Sequence, residues 1–133
     1  MMWFWGIVAL VVLALAYVRL AGVDPGRWHR PVKGDADADG EGHCLRVLEA
    51  GPEALARADA AMRALPRTRV VAGSVAEGRV TYETRSKWIG FPDYTTLEQE
   101  DGRLRMFARL RFGRSDFGVN RARLERIARA VTG

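Results

Sequence analysis

Residues 94–112 read YTTLEQEDGRLRMFARLRF, and the fold turns on how that stretch is read. Leu104, Met106, Ala108, Leu110 and Phe112 alternate with Arg105, Phe107, Arg109 and Arg111. A period of two belongs to a strand with one apolar face. Asp101-Gly102 separates this run from the one spanning Tyr94 to Glu100. Asp-Gly closes two-residue hairpins because both central positions of such a turn take positive φ. The stretch is therefore expected to be an antiparallel hairpin, covered on its apolar face and open on the other.

Earlier residues extend the same sheet. Gly90-Phe91-Pro92-Asp93 is a turn, and Arg79 to Trp88 alternates with Val80, Tyr82, Thr84, Ser86 and Trp88 on one side. Arg69 to Val75 is a valine-rich strand that ends before the turn dipeptide Glu77-Gly78. Leu55, Ala58, Met62 and Leu65 recur at helical spacing, between Pro52 at the expected first helical position and Pro66 as the stop. A short strand is expected from about Cys44 to Glu49. A last helix, from about Phe117 to Val131, carries Leu124, Ile127, Ala128 and Val131 as its apolar stripe. The order β-α-β-β-β-β-α implies an α+β fold, an antiparallel sheet with both helices packed on one face.

The other end of the chain differs. Met1 to Val18 contains no charged residue or histidine. About 18–20 helical residues at 1.5 Å each match the hydrocarbon thickness of a bilayer. Trp3, Trp5 and Tyr17 stand where interfacial aromatics belong. Residues 1–21 are thus expected to be a transmembrane helix. Ala14-Leu15-Ala16 resembles a signal-peptide cleavage pattern, but no basic residue precedes the apolar run and the run continues past the cut, so the segment is read as uncleaved. Arg19, Arg27, Arg30 and Lys33 follow it, which by the positive-inside rule places the remainder in the cytoplasm. Residues 22–43, with Gly and Pro and little apolar content, read as a flexible acidic linker, leaving 44–133 as a single domain. Asp35-Ala36-Asp37-Ala38-Asp39-Gly40 copies half of a calcium loop, but Arg46 stands where the bidentate carboxylate is needed.

Composition narrows the function classes. With 133 residues, 48% hydrophobic and 28% charged, the chain is neither disordered nor wholly membrane-embedded. A single cysteine, Cys44, excludes an internal disulfide framework and a multi-thiolate metal site, and no motif implies a cofactor. From Arg103 to Gly133 nine arginines face two acids, a basic third suited to anionic lipid or an acidic partner. Arg105, Phe107, Arg109 and Arg111 form a basic stripe with one aromatic, a poor stacking platform, so nucleic acid is not the expected partner.

Arg114-Ser115-Asp116-Phe117-Gly118-Val119-Asn120-Arg121 joins the last strand to the last helix. Asp116 or Asn120 is expected to cap that helix. Arg111, Arg114 and Arg121, with Ser115, Asp116 and Asn120, would also suit an anionic group near its start. Trp88 and Phe91, with Asp93, are expected to rim an apolar groove between the sheet and the final helix, suited to a lipid-like ligand. Asp93 and Asp116 are the candidate acid–base pair of a hydrolase-type alternative. A serine nucleophile would require linker residues His29 or His43 to fold back toward Ser74, Ser86 or Ser115.

From Pro66 to Ala130 the chain resembles the family called domain of unknown function 1499. The resemblance rests on Tyr82-Glu83-Thr84-Arg85-Ser86, on Gly90-Phe91-Pro92-Asp93 and on Arg111 to Arg121, of which S-D-x-G-x-N-x-x-R is the most specific part. It implies a bacterial, membrane-anchored envelope protein with its domain on the periplasmic side, against the charge rule, and it implies no reaction. The expected function is a non-catalytic binding or scaffold module. Its site is formed by Trp88, Phe91, Asp93, Arg111, Arg114, Ser115, Asp116, Asn120 and Arg121, and its partner is an anionic lipid or an envelope protein.

Overall fold

Alternating apolar residues build the inner face of the sheet, as the period-two pattern requires. The computed structural model describes residues 1–133. Its helices are α1 (Met2–Leu20), α2 (Pro25–Trp28), α3 (Ala54–Arg63) and α4 (Val119–Thr132). Its strands are β1 (Ala38–Gly40), β2 (His43–Glu49), β3 (Thr68–Ser74), β4 (Arg79–Arg85), β5 (Pro92–Glu100) and β6 (Arg103–Leu110). They form one antiparallel six-stranded sheet in the order β1-β2-β6-β5-β4-β3. The β5–β6 hairpin closes at Asp101 and Gly102, whose φ values of 52° and 73° are those an Asp-Gly turn supplies.

Registration across the sheet stacks Val80 on Leu97 and Leu97 on Met106, with Ala108 opposite Cys44. These residues form the core together with Leu55, Ala58 and Met62 of α3 and Leu124, Ile127 and Val131 of α4. Both long domain helices therefore cover one face. Burying an aliphatic side chain of this size is worth about 2 kcal/mol, and the Tyr82 hydroxyl finds its partner in Asp59 of α3.

The opposite face is not open, and here the expected linker is corrected. Residues 22–35 run across it as a strap. Trp28 lies on the ring of Tyr94 with centroids 4.4 Å apart. Val32 and Leu45 are buried, and Gly34 sits so close to Leu45 that an added Cβ would meet it at 2.6 Å. Arg105 donates to the carbonyl of Gly34 (3.0 Å), Arg111 to that of Gly22 (2.6 Å) and Arg109 to that of Trp28. The strap thus brings few apolar side chains of its own; its backbone oxygens accept from the sheet's arginines, which is why its composition reads as linker. Ala38–Gly40 then adds an edge strand that the sequence reading did not foresee. The strap and β1 are thus packed on the sheet or paired to its edge, and the basic stripe expected on an open face is covered.

Several element ends also differ: β5 begins at Pro92, inside the expected Gly90–Asp93 turn, and β6 ends at Leu110, before Phe112. β4 stops at Arg85 because the Ser86 hydroxyl turns the chain, accepting from the N–H groups of Gly90 (3.0 Å) and Phe91 (2.9 Å). α3 starts at Ala54, beyond Pro52. α4 starts at Val119 because Phe117 and Gly118 adopt left-handed φ of 54° and 80°.

Candidate functional site

The β4–β5 loop and the β6–α4 loop meet at one end of the sheet and enclose a cleft of about 610 Å³. Phe91 and Ser86 line it from the first loop, and Phe112, Ser115 and Phe117 from the second. Asp93 of β5 and Arg123 of α4 lie along it, their charged groups 3.7 Å apart and their side chains only 15% and 10% exposed. Burial pushes the Asp93 carboxyl up to about 6; nearby Asp116 adds to the rise and Arg123 opposes it. Burial also pulls the Arg123 guanidinium below its ordinary value, with Asp93 and Asp116 working the other way.

Arg123 is held from its other side by Asn120, whose Oδ1 accepts from Nη1 at 2.5 Å. Asn120 is fully buried, and its Nδ2 has no hydrogen-bond partner. Gly118 rather than Asp116 or Asn120 is the N-cap of α4, and Asp116 serves the helix start from two residues earlier: one carboxylate oxygen accepts from the N–H of Gly118 (2.9 Å) and the other from the N–H of Asn120 (3.2 Å). Ser115 Oγ accepts from the N–H of Phe117 (3.2 Å).

Of the residues singled out in the sequence, Phe91, Asp93, Ser115 and Asp116 share this cleft. Asn120 lies behind it, reaching it through Arg123. Trp88 is 81% exposed and does not line it. Arg111 belongs to the strap face, donating to Gly22 and to the Tyr94 hydroxyl (3.0 Å). Arg114 lines a different cavity, beside His43, and Arg121 is engaged on the surface with Glu125 (3.1 Å). No histidine lines the cleft: His29, in the strap, bonds Thr81 of β4 (2.8 Å) and His43 lies near the Glu41 carbonyl (3.3 Å). The acidic repeat is likewise committed, Asp35 to Arg105, Asp37 to the N–H of Val47 and Asp39 to Arg46.

Sequence reasoning missed Arg123, Phe112 and Phe117 as cleft residues. Arg123 had one legible signal, its i,i+3 spacing from Asn120 on the flank of the apolar stripe. Phe112 continues the period-two apolar series beyond the end of β6, and Phe117 is placed by the left-handed turn at Phe117–Gly118, which no periodicity announces.

The Tyr82–Ser86 block carries much of the surrounding scaffold. Glu83, buried, accepts from Arg69 (3.2 Å) and Arg85 (3.0 Å) and from the Tyr94 hydroxyl (3.3 Å), the compensation a buried carboxylate requires. Arg85 also donates to the carbonyls of Gly90 (2.8 Å), Val18 (3.0 Å) and Ala21 (3.1 Å). Arg19 reciprocates from α1, donating to the carbonyls of Ile89 and Trp88, both at 3.2 Å. Tyr17 meets Phe112 edge-on with centroids 6.0 Å apart. The C-terminal end of the apolar helix is therefore fastened to the wall of the cleft. α1 itself is long and apolar enough to cross a membrane and is almost wholly uncovered by the rest of the chain, properties it shares with a signal sequence.

A search among curated proteins finds no match. The model of the family described as Protein of unknown function (DUF1499) matches residues 27–131, from within the strap to the last turn of α4. The chain belongs to that family.

Proposed function

We propose that this chain is a single-pass membrane protein whose domain, held at the bilayer surface, binds the apolar portion of an amphiphile in the Phe91–Phe112–Phe117 cleft. One observation carries the reading: the wall of the cleft is hydrogen-bonded to the last turn of the apolar helix through Arg85 and Arg19. A helix embedded in lipid would hold the cleft mouth within reach of the headgroup layer, a short path for a lipid-like ligand. Exposed Trp88 and Phe117, the latter 94% exposed, lie on the two loops that form the cleft. Such residues favour the membrane interface. The family resemblance favours the periplasmic face of a bacterial inner membrane, and anionic lipid is the partner that the basic C-terminal third suits.

The test is mass spectrometry of the full chain extracted from membranes in mild detergent. The parent is expected to carry bound lipid, and the Phe91→Ala/Phe117→Ala double variant to lose it while melting at the parent temperature. A parent chain free of lipid, or lipid retained equally by the double variant, overturns the reading. Fusing a reporter to the C-terminus distinguishes periplasm from cytoplasm.

A second reading, acid–base catalysis by Asp93, is favoured by its position: a carboxyl in a cleft, pushed up to about 6 by burial, beside Asp116. Turnover of ester or phosphoester probes that Asp93→Asn abolishes, with binding kept, would select it.

A further inference from the structure

On the strap side of the sheet the arginines fall into two groups. The first is paired: Arg79 holds Glu98 (2.6 Å), Arg69 and Arg85 hold Glu83, and Arg103 and Arg105 hold Asp35. The second has no carboxylate partner; Arg111 apart, which bonds the Gly22 carbonyl and the Tyr94 hydroxyl, its members converge. Arg27, Arg30, Lys33 and Arg109 line one cavity of about 430 Å³ between strap and sheet, together with Trp28, Thr96 and Phe107, and no acidic residue lines it.

Three of these cations are fixed by neutral neighbours. Arg109 donates to the Trp28 carbonyl and to Thr96 Oγ1 (2.8 Å), and its guanidinium lies 5.1 Å from the Phe107 ring centroid. Arg30 Nε donates to the Gly26 carbonyl (3.1 Å), and Arg27 stands 4.8 Å over the Trp28 ring. Behind Arg109 the hydroxyls of Thr96 and Thr81 and the ring of His29 continue a chain of 2.8 Å contacts. Arg109, partly buried without a counter-charge, costs folding energy that the chain could avoid with one acidic residue beside it. Guanidinium groups held ready in this way match the oxygens of a phosphoryl group.

We propose that this cavity is a binding site for a small phosphorylated anion, with Arg30, Lys33 and Arg109 contacting the phosphoryl oxygens and Trp28 and Phe107 bordering the organic part. The site lies on the opposite face of the sheet from the amphiphile cleft and does not depend on membrane attachment. Free phosphate compounds and phospholipid headgroups share the required chemistry, so the test separates them.

The full chain in uncharged detergent micelles is titrated calorimetrically with inorganic pyrophosphate against sodium chloride of equal ionic strength. Saturable binding is expected. Arg30→Gln and Lys33→Gln, exposed positions whose change spares the fold, are each expected to weaken it about tenfold, the loss of one charge-assisted hydrogen bond. Arg126→Gln/Arg129→Gln on α4, which removes two charges elsewhere, is expected to leave it unchanged. Vesicles of phosphatidylcholine with and without phosphatidylglycerol form the second arm. Vesicle binding that needs phosphatidylglycerol and that pyrophosphate displaces identifies a headgroup source for the same site. Absence of saturable binding to either probe, equal losses in the cavity and α4 variants, or vesicle binding that pyrophosphate does not displace overturns the proposal.

Discussion

The Arg85 guanidinium donates to the backbone carbonyl of Val18, 3.0 Å away and 67 residues earlier in the chain. That same side chain neutralises Glu83, which is 2% exposed. One residue thus serves both the attachment of α1 and the solvency of a buried charge, and two substitutions separate these roles. Arg85→Ala leaves Glu83 with Arg69 as its remaining cation and should lower the unfolding free energy of the full chain by about 3 kcal/mol. Arg19→Ala removes the reciprocal bonds to Ile89 and Trp88 but no buried charge, and should cost less than about 1 kcal/mol. Denaturant unfolding in detergent micelles measures both. Equal losses would mean that Glu83 does not depend on Arg85.

Trp28 provides the corresponding test of the strap. Its ring on Tyr94 and its carbonyl at Arg109 are expected to hold residues 22–35 against the sheet. Trp28→Ala should destabilise by about 3 kcal/mol and open the strap to trypsin at Arg27 and Lys33. The parent should be cut there slowly; cleavage of the parent at the rate of the urea-unfolded chain would show that the strap is not docked.

That strap marks how far the sequence could be read. Strong period-two runs, the Asp101-Gly102 turn and the Leu124–Ile127–Val131 stripe specified the sheet and its covered face, because burial of one face leaves a periodic trace. The strap leaves none: beyond Trp28 and Val32 its adhesion comes from backbone carbonyls meeting arginines, and any residue supplies a carbonyl. At the cleft, Phe91, Asp93, Ser115 and Asp116 were legible as turn and cap residues, and the structure brings them together. Arg111 and Arg114 looked equivalent to them in sequence, but alternation along the end of β6 turns Arg111 to the strap side. Arg123 sits on a helix whose other arginines are surface residues, and beyond its i,i+3 spacing from Asn120 only the depth of Asp93 beside it distinguishes it.

Asp93 predicts an unusual pH dependence. Its carboxyl binds a proton more tightly in the folded chain, near 6, than an ordinary aspartate near 3.8. Between those values the native state carries the extra proton, so this group's contribution to stability falls as pH rises from about 4 to about 6 and then levels. The drop is about 3 kcal/mol by the size of the shift. Asp93→Asn cannot titrate, so the stability difference between parent and variant should move by that amount across the interval, the parent losing ground as pH rises. Thermal unfolding in a series of buffers measures it. A difference constant with pH would show that Asp93 is not buried as described.

Cys44 gives a probe of the core itself, because it is the single thiol in the chain. It is 1% exposed, opposite Ala108 in the β2–β6 pairing, and its Sγ donates to Asp39 Oδ1 at 3.1 Å. Burial first, and that bond second, push the thiol up to about 12. The thiolate is the reactive form, and an ordinary cysteine near 8.5 is substantially ionised at pH 8. Cys44 in the folded chain should therefore react with a thiol reagent at pH 8 at least about a thousandfold more slowly than in urea. Asp39→Asn removes the neighbouring carboxylate but leaves the burial, and should raise the rate only severalfold. A variant reacting as fast as the unfolded chain would show that the β1–β2 edge, through Asp39, shields this corner of the core rather than the helices packed above it.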